Sequence, residues 1–384
     1  AGAVEQVQAG RSKAGLPRER LWRIRAGSIV VATGAIERPM VFPDNDRPGV
    51  MLASAVQRYL NQFGVACGRR AVIYADNDHA QELAGELEAA GVGIAAMIVA
   101  RQGDATSTDP MQGSNYTVLS GHVITGVEGR KTVHGVRVAP LKDGVVGVER
   151  TIECDLVCVS GGWNPTVHLF SQAGGSLDWD AVGHCFVPRA PLTNAIAIGA
   201  AAGVFDLAQA FAHARESGRR IARSDPPVAI PCVAAAVGAN GEPPPLRVSV
   251  PRSGLRRPHR KQFVDLQNDI AVSDVALAAR ENYRSVEHLK RYTTTGMGTD
   301  QGKTSNLNAL ALLGEFTGKL PAKVGTTKFR PPYSPQSLGA IAANQTGELY
   351  RPLRRMPGHA WHVAQGAALE DYGGWLRPAA YPQS

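Results

Sequence analysis

The sequence predicts an α/β fold over residues 1–225, a Pro-rich linker over 226–260, a small helical module over 261–325 and the beginning of a further domain over 326–384. Three observations carry this reading. Short apolar runs rich in β-branched residues alternate with helical periodicity in the first part. Proline, glycine and alanine crowd the second, where Pro226, Pro227, Pro231 and Pro243-Pro244-Pro245 stand. Helix-start residues and 3.6-residue spacing return in the third.

The elements follow in order. Residues 1–20 are polar, carry no initiating Met and read as the middle of a longer chain. Ser28-Ile29-Val30-Val31-Ala32 is a buried strand ending at Thr33-Gly34. Ala71-Val72-Ile73-Tyr74-Ala75 is a second strand. A helix over 79–90 closes at Gly91, and a third strand covers 94–99. This βαβ unit, inserted over about 69–110, implies a right-handed parallel crossover. Between 114 and 153 apolar residues recur with a period near two, from Val118, Ile124 and Val127 to Val148 and Ile152. That pattern predicts a small antiparallel meander. Leu156-Val157-Cys158-Val159-Ser160 and Ala195-Ile196-Ala197-Ile198-Gly199 are further buried strands, the latter feeding a helix from about 205 to 222. In the module, Ser273 is the expected N-cap of a first helix and Ser285 opens a second; a third covers 306–317. Residues 325–384 are irregular, with many prolines, tryptophans and arginines.

Composition narrows the function classes. The net charge is +8, and its densest run is Arg256-Arg257-Pro258-His259-Arg260-Lys261. With no interleaved aromatics this reads as a solvated linker; an acidic neighbouring chain is the next reading and nucleic acid the last. The five cysteines (Cys67, Cys154, Cys158, Cys185 and Cys232) form no C-x-x-C pair. Cys154 and Cys158, in an apolar segment, read as buried inert thiols. A sparse, odd set points to a reducing compartment, the cytoplasm. The longest uncharged stretch, from Leu156 to Leu177, is broken by Gly161-Gly162 and Asn164-Pro165, so no membrane span is expected. No catalytic nucleophile, acid–base pair or metal-ligand cluster stands out.

A strand that ends in Ala32-Thr33-Gly34 has a physical logic. Small residues at the carboxyl end of a parallel strand let a dinucleotide lie across the sheet edge. Glu37-Arg38-Pro39 follows, and the combination is similar to two-dinucleotide-binding, disulfide-reductase-like flavoproteins. A second strand of this kind leads into Gly161-Gly162-Trp163-Asn164-Pro165, and a third into Gly199-Ala200-Ala201-Ala202-Gly203. Thr33, Gly34, Gly162, Gly199 and Ala200 are therefore the candidate dinucleotide contacts. Flavin reductases usually place an acid directly after the first glycine of the third strand, to bind the ribityl chain; here Ala200 stands there, which leaves room for a different dinucleotide. The inserted βαβ unit lacks G-x-G-x-x-G. Asp76 and Asp78 crowd the place of a pyrophosphate, so the insert is not expected to bind NAD(P)H. His79 reads as a helix-start or surface histidine.

Longer runs carry a more specific resemblance. They are Val31-Ala32-Thr33-Gly34-Ala35-Ile36-Glu37-Arg38-Pro39, Asp46-Arg47-Pro48-Gly49-Val50-Met51, Ser160-Gly161-Gly162-Trp163-Asn164-Pro165 and Phe263-Val264-Asp265-Leu266-Gln267-Asn268-Asp269. The longest runs from Ser285 through Gly296-Met297-Gly298-Thr299-Asp300-Gln301-Gly302-Lys303-Thr304-Ser305-Asn306. With these parts together the chain resembles the alpha subunit of heterotetrameric sarcosine oxidase, over most of its length. The resemblance implies a subunit of an oxidoreductase acting on CH–NH bonds that binds NAD in its reductase-like part. FAD and covalent FMN belong largely to the beta subunit, with FMN near the alpha–beta boundary, and gamma and delta subunits complete the assembly. Tetrahydrofolate binds a C-terminal domain similar to the glycine-cleavage T protein, and residues 326–384 match the approach to it. The family's N-terminal ferredoxin-like part and first dinucleotide fingerprint have no counterpart in the sequence, so a fragment inactive by itself is expected. The alternatives are the alpha subunit of a flavin-dependent amino acid or opine dehydrogenase, and a scaffold that binds NAD for structure.

The helical module resembles the bacterioferritin-associated ferredoxin module of related amine dehydrogenases, where cysteines at head and tail hold a 2Fe–2S cluster. Here the head reads Val264-Asp265-Leu266-Gln267 and the tail Asp300-Gln301-Gly302-Lys303. Without thiolates no such cluster is expected. Cations, hydroxyls and glycine-flanked amides remain, and these suit a phosphate. Arg291, Thr293, Lys303 and Thr304 are the candidate contacts to the FMN phosphate; helix caps and surface charge are the other reading of the same residues.

Overall fold

The computed structural model describes residues 2–6, 19–77, 80–100, 116–223, 246, 248–343, 345 and 347–382. Asp78, His79, Cys232 and most of the Pro-rich linker lie outside them. The described chain forms two compact units, 28–333 and 1–27 with 334–384.

The larger unit opens with β1 (Ile29–Val31), β2 (Ala35–Glu37) and β3 (Val50–Leu52), which leads into helix α1 (Ala53–Phe63). Then come β4 (Arg70–Ala75), α2 (Ala80–Ala89), β5 (Gly93–Val99) and β6 (Thr117–Ser120). An antiparallel meander follows: β7 (His122–Glu128), β8 (Gly135–Lys142), β9 (Val145–Val146) and β10 (Arg150–Glu153). The chain returns through β11 (Leu156–Ser160) and β12 (Trp163–Pro165) to α3 (His168–Gln172).

The predicted βαβ unit is the centre of a five-stranded parallel sheet with the order β3-β11-β4-β5-β6. This sheet reaches from Val50 to Ser160, well beyond 69–110. Val118, read as part of the meander, lies in parallel β6 instead. β11 pairs with β3 and β4, not with β1. Both faces of the sheet are covered, which is why its strands read as unbroken apolar runs. Val72 and Tyr74 point to the meander, against Phe42, Ile124 and Val138. Ala71, Ile73 and Ala75 point the other way, against Val56 of α1 and Leu83 and Leu87 of α2. Each fully buried Leu or Ile here contributes about 2 kcal/mol of transfer free energy.

One charged residue breaks the meander's apolar pattern. Arg137 of β8 is buried and pairs with Glu128, with Glu149 at 3.4 Å and with Asp44 at 4.0 Å. Asp44 also holds Arg260 at 3.0 Å. The basic run is thus a solvated segment at most of its positions and an ion-paired one at Arg260. Gly126 sits under the guanidinium, where an added Cβ would collide with it.

Further along, β13 (Leu177–Asp180) and β14 (Cys185–Pro188) form a hairpin. β15 (Ala195–Ala197) lies parallel to β1, and α4 (Leu207–Ala222) follows with Asp206 as its N-cap. The helical module consists of α5 (Val272–Arg280), α6 (Val286–Thr293) and α7 (Asn306–Thr317). Ser273 is not its first N-cap: Ala271 holds that place, and the Asp274 carboxylate accepts the Ala271 N–H at 2.8 Å. The remaining boundaries match, with Ser285 preceding α6. Val275, Leu289, Leu310, Leu312 and Leu313 make the module's core.

The smaller unit pairs Gly2–Gln6 with Glu19–Arg23, antiparallel. It also holds a three-stranded sheet of Arg354–Arg355, Trp375–Ala380 and Ala368–Tyr372. No helix among the described residues is long and apolar enough to cross a membrane.

Candidate cofactor sites

β1 and β15 run side by side, and the Ile198 N–H donates to the Val31 carbonyl at 3.1 Å. Their parallel pairing brings Thr33-Gly34 and Gly199-Ala200 to the same carboxyl-terminal edge. Gly34 has φ +70° and Gly199 φ +59°, conformations that favour glycine, and a Cβ on Gly34 would meet open space. That space is what close approach of a dinucleotide backbone requires. Thr33 is committed inward: its hydroxyl donates to the Thr166 carbonyl at 2.7 Å, and the Thr166 N–H donates to the Gly34 carbonyl at 2.9 Å. Ala200 offers no acceptor for a ribose hydroxyl, and the N-terminus of α4 is already capped by Asp206 onto Gln209 N–H at 2.8 Å. The edge fits a dinucleotide in its open floor, without the carboxylate that would bind its sugar.

Gly162 belongs to a neighbouring structure. Its carbonyl accepts the Arg38 N–H at 2.8 Å where β12 pairs with β2, and a Cβ there would meet the Arg38 guanidinium. Arg38 is buried and donates to Asn164 Oδ1 at 3.0 Å and to the His184 carbonyl at 2.9 Å. Burial lowers its pKa to about 10, while Cys185 and Asp76 act in the opposite direction. Glu37, also buried, accepts the Ser54 N–H at 2.7 Å and so caps α1 from a distance. The Glu37-Arg38-Pro39 signature therefore ties two sheets together. Asp76 is placed to share Arg38's field.

In the module, the head and tail segments are each held by hydrogen bonds. Buried Asp265 accepts from Gly296 N–H at 2.7 Å and Ser305 Oγ at 3.2 Å through one oxygen, and from Gln267 N–H at 3.0 Å through the other. Asp300 accepts from Gly302 N–H at 2.9 Å and Thr304 Oγ1 at 3.0 Å. Asn306 fills the centre of the loop; a Cβ on Gly296 or Gly302 would collide with its side chain.

The four candidate phosphate contacts are each engaged. Arg291 is exposed and pairs with Glu287 at 3.5 Å. Thr293 is buried and donates to the Leu289 carbonyl at 2.8 Å. Thr304 is held by Asp300. Lys303 donates to the Tyr333 carbonyl at 2.7 Å, with its ammonium 4.3 Å from the centre of that ring. Lys303 and Thr304 stand together; Arg291 and Thr293 belong to the last turn of α6, each with its own partner. Among the described residues no group of three or more His, Cys, Asp or Glu is placed to hold a metal.

Sequence reasoning does not single out His168. Its ring is 6% exposed, packs 3.9 Å from Phe329 and 5.3 Å from Tyr333, and has no hydrogen-bond partner at either nitrogen. Burial, with the Lys303 charge next, pushes its pKa down to about 4. No local signal marks it, since a lone histidine in an apolar stretch reads as core. Cys154 and Cys158 are buried as expected, and desolvation raises the first to about 12 and the second further.

Residues 259–345 match the sarcosine oxidase A3 domain family. The chain is 41% identical over 386 residues to the alpha subunit of sarcosine oxidase from Corynebacterium sp. strain P-1, covering 97% of this chain and 39% of that protein. An opine oxidase chain of Agrobacterium tumefaciens strain Ach5 is more distant, at 24% identity over 83% of this chain and 70% of that one. Among solved structures, L-proline dehydrogenase from P. horikoshii shares the fold with a TM-score of 0.62 at 20% identity, over 84% of this chain and 60% of that one. The chain spans about two fifths of the length of the sarcosine oxidase subunits it matches. Over 97% of its own length the chain is similar to sarcosine oxidase alpha subunits, and its residues 259–345 match the sarcosine oxidase A3 domain family.

Proposed function

We propose that this chain is part of the alpha subunit of a sarcosine-oxidising complex of the cytoplasm, with beta, gamma and delta partners. Catalysis resides in the beta subunit, whose FAD and FMN carry out the oxidation of sarcosine and pass electrons to oxygen, giving peroxide. Tetrahydrofolate, on a domain of which residues 326–384 are the approach, receives the one-carbon unit. This chain contributes the open edge at Thr33, Gly34, Gly199 and Ala200 for NAD, with Gly162 shaping the adjoining turn. Lys303 and Thr304, with Arg291 and Thr293 on the neighbouring helix, face the FMN phosphate at the subunit boundary.

The observation that carries this reading is the hydrogen-bonded loop around Asp265. Carboxylate, amide and hydroxyl groups hold the module's head and tail, where an iron–sulfur protein would need thiolates. This supports electron transfer between flavins in a neighbouring chain. Co-purification of the full-length parent tests it: two flavins, no iron, and bleaching of the flavin band on adding sarcosine are expected. An iron–sulfur signal, or flavin reduction by this chain without partners, refutes the reading. The alternative reading is the alpha subunit of a flavin-dependent amino acid or opine dehydrogenase, for which the more distant opine oxidase relative, at 24% identity over 70% of its length, is the support.

A further inference from the structure

Two cavities of the larger unit share Leu177, Phe186 and Thr326. The inner one is small and mostly apolar, and His168 stands in its wall. The outer one is a polar groove of about 390 Å³, lined by Trp179, Lys323 and Lys328 among others, and falls within the size range of small-molecule sites. The groove's carboxylate, Asp178, is paired with Arg189 at 2.7 Å. Lys323 and Lys328 add two positive charges that this pair leaves unmatched.

We propose that this two-chambered cleft binds a mononucleotide, with the phosphate between Lys323 and Lys328, the base along Trp179, and an uncharged hydrogen-bonding edge of the base at His168. Compact ammonium groups suit a phosphate as point charges. Trp179 presents a flat, half-buried face, braced edge-on by Phe186 at 5.2 Å between ring centres. The inner chamber supplies the remaining requirement. A buried imidazole with both nitrogens unpartnered costs roughly 1–3 kcal/mol for each unmet group. Kept neutral by burial, His168 offers one donor and one acceptor. The amide of nicotinamide and the amino edge of adenine each carry a donor and an acceptor, so either can pair with one of these two nitrogens whichever tautomer is present. This site shares no residue with the proposed NAD edge; it adjoins the proposed FMN-phosphate contacts at Lys303, which lines the inner chamber beside His168, and the lysine variants tell the two apart.

Calorimetric titration of the full chain with AMP, nicotinamide mononucleotide and ribose 5-phosphate tests it. One nucleotide is expected to bind saturably, at least about tenfold tighter than ribose 5-phosphate. The double variant Lys323→Gln/Lys328→Gln, at exposed positions that do not threaten folding, should weaken it by about tenfold. His168→Phe should remove the preference for nucleotide over ribose 5-phosphate, with the melting temperature as folding control. AMP preferred over nicotinamide mononucleotide identifies adenine as the base, and the reverse identifies nicotinamide. No saturable binding at millimolar nucleotide overturns the proposal. So does unchanged affinity in the lysine double variant, or binding lost on Lys303→Gln and kept in the double variant, which would put the phosphate in the module loop.

Discussion

Asp265 accepts the N–H of Gly296 at 2.7 Å, a bond that spans 31 positions and joins the head of the helical module to the loop after α6. The same carboxylate receives Ser305 Oγ at 3.2 Å, so one buried anion closes the loop that precedes α7. A metal cluster would do this with covalent ligands. Here a carboxylate does it with charge-assisted hydrogen bonds, which are about twice as strong as neutral ones.

Removing that carboxylate should therefore cost more than an ordinary surface change. Asp265→Ala strands the Gly296 amide and the Ser305 hydroxyl in the interior, and should destabilise the chain by about 3 kcal/mol. Asp265→Asn keeps one acceptor oxygen and should lose about half as much. Urea unfolding of the three proteins checks the order; equal midpoints for wild type and Asp265→Ala would show that the loop is held by something else.

Gly302 has φ +71° and lies against the Asn306 amide. Gly302→Ala meets both the left-handed backbone and the side chain, and should destabilise by about 2–3 kcal/mol. Adding Asn306→Ala removes the steric part, together with the Asn306 Nδ2 bonds to the Gln301 carbonyl and Thr327, whose loss the single variant Asn306→Ala measures. A double-mutant cycle should then give a coupling above about 0.5 kcal/mol. Strict additivity would mean that backbone strain is the whole effect.

Arg137→Met leaves the mostly buried Glu149 carboxylate beside an apolar side chain, while Asp44 keeps Arg260 at 3.0 Å. Breaking a buried pair in this way costs about 3–5 kcal/mol. The second change Glu149→Gln should restore part of the loss, measured as the shift in urea midpoint. A network of these four charges that tolerated Arg137→Met would have to be solvated in a way the 5% side-chain exposure of Arg137 does not allow.

Much of this architecture is legible in the sequence because it is local. The β4–α2–β5 unit and α7 follow from apolar runs, a glycine C-cap and helical periodicity. What escapes is what depends on distant partners. Leu156-Val157-Cys158-Val159-Ser160 reads as a buried strand from composition, yet its neighbours β3 and β4 lie about 80 to 110 positions away, and nothing local specifies them. Arg137 occupies an alternating strand, where a charge reads as the wet face; only Glu128, Glu149 and Asp44, folded around it, make burial tolerable. Ser273 has the chemistry of a cap, but Asp274 reaches back to Ala271 and moves the helix start. Of the site residues, Thr33 and Gly199 meet because β1 and β15 pair, whereas Gly162 shares their motif and instead accommodates Arg38. His168 carries no local mark at all.

Thiol chemistry gives a further check. Desolvation raises Cys154 to about 12 and Cys158 further, and Cys67 is also raised. At pH 8 these three thiols are almost entirely protonated in the folded chain, and a disulfide reagent should label Cys154 and Cys158 only after denaturant is added. Mass spectrometry of the labelled peptides reads this directly. Rapid native labelling of Cys154 or Cys158 would mean that the sheet opens far more readily than its packing implies.

The buried imidazole predicts how stability follows pH. His168 titrates near 4 in the folded chain against 6.5 when unfolded, so between those values the unfolded chain binds the extra proton. Stability must then fall as pH drops from 6.5 towards 4, and this contribution is fully present above 6.5. A displacement of that size corresponds to about 3 kcal/mol at most. His168→Leu has no proton to gain, so the difference in unfolding free energy between the two proteins should shrink or invert as pH is lowered. Parallel curves for wild type and His168→Leu between pH 7 and 4.5, measured by urea unfolding, would mean that the ring titrates normally and is solvated, and the inner chamber would lose its unpartnered donor and acceptor.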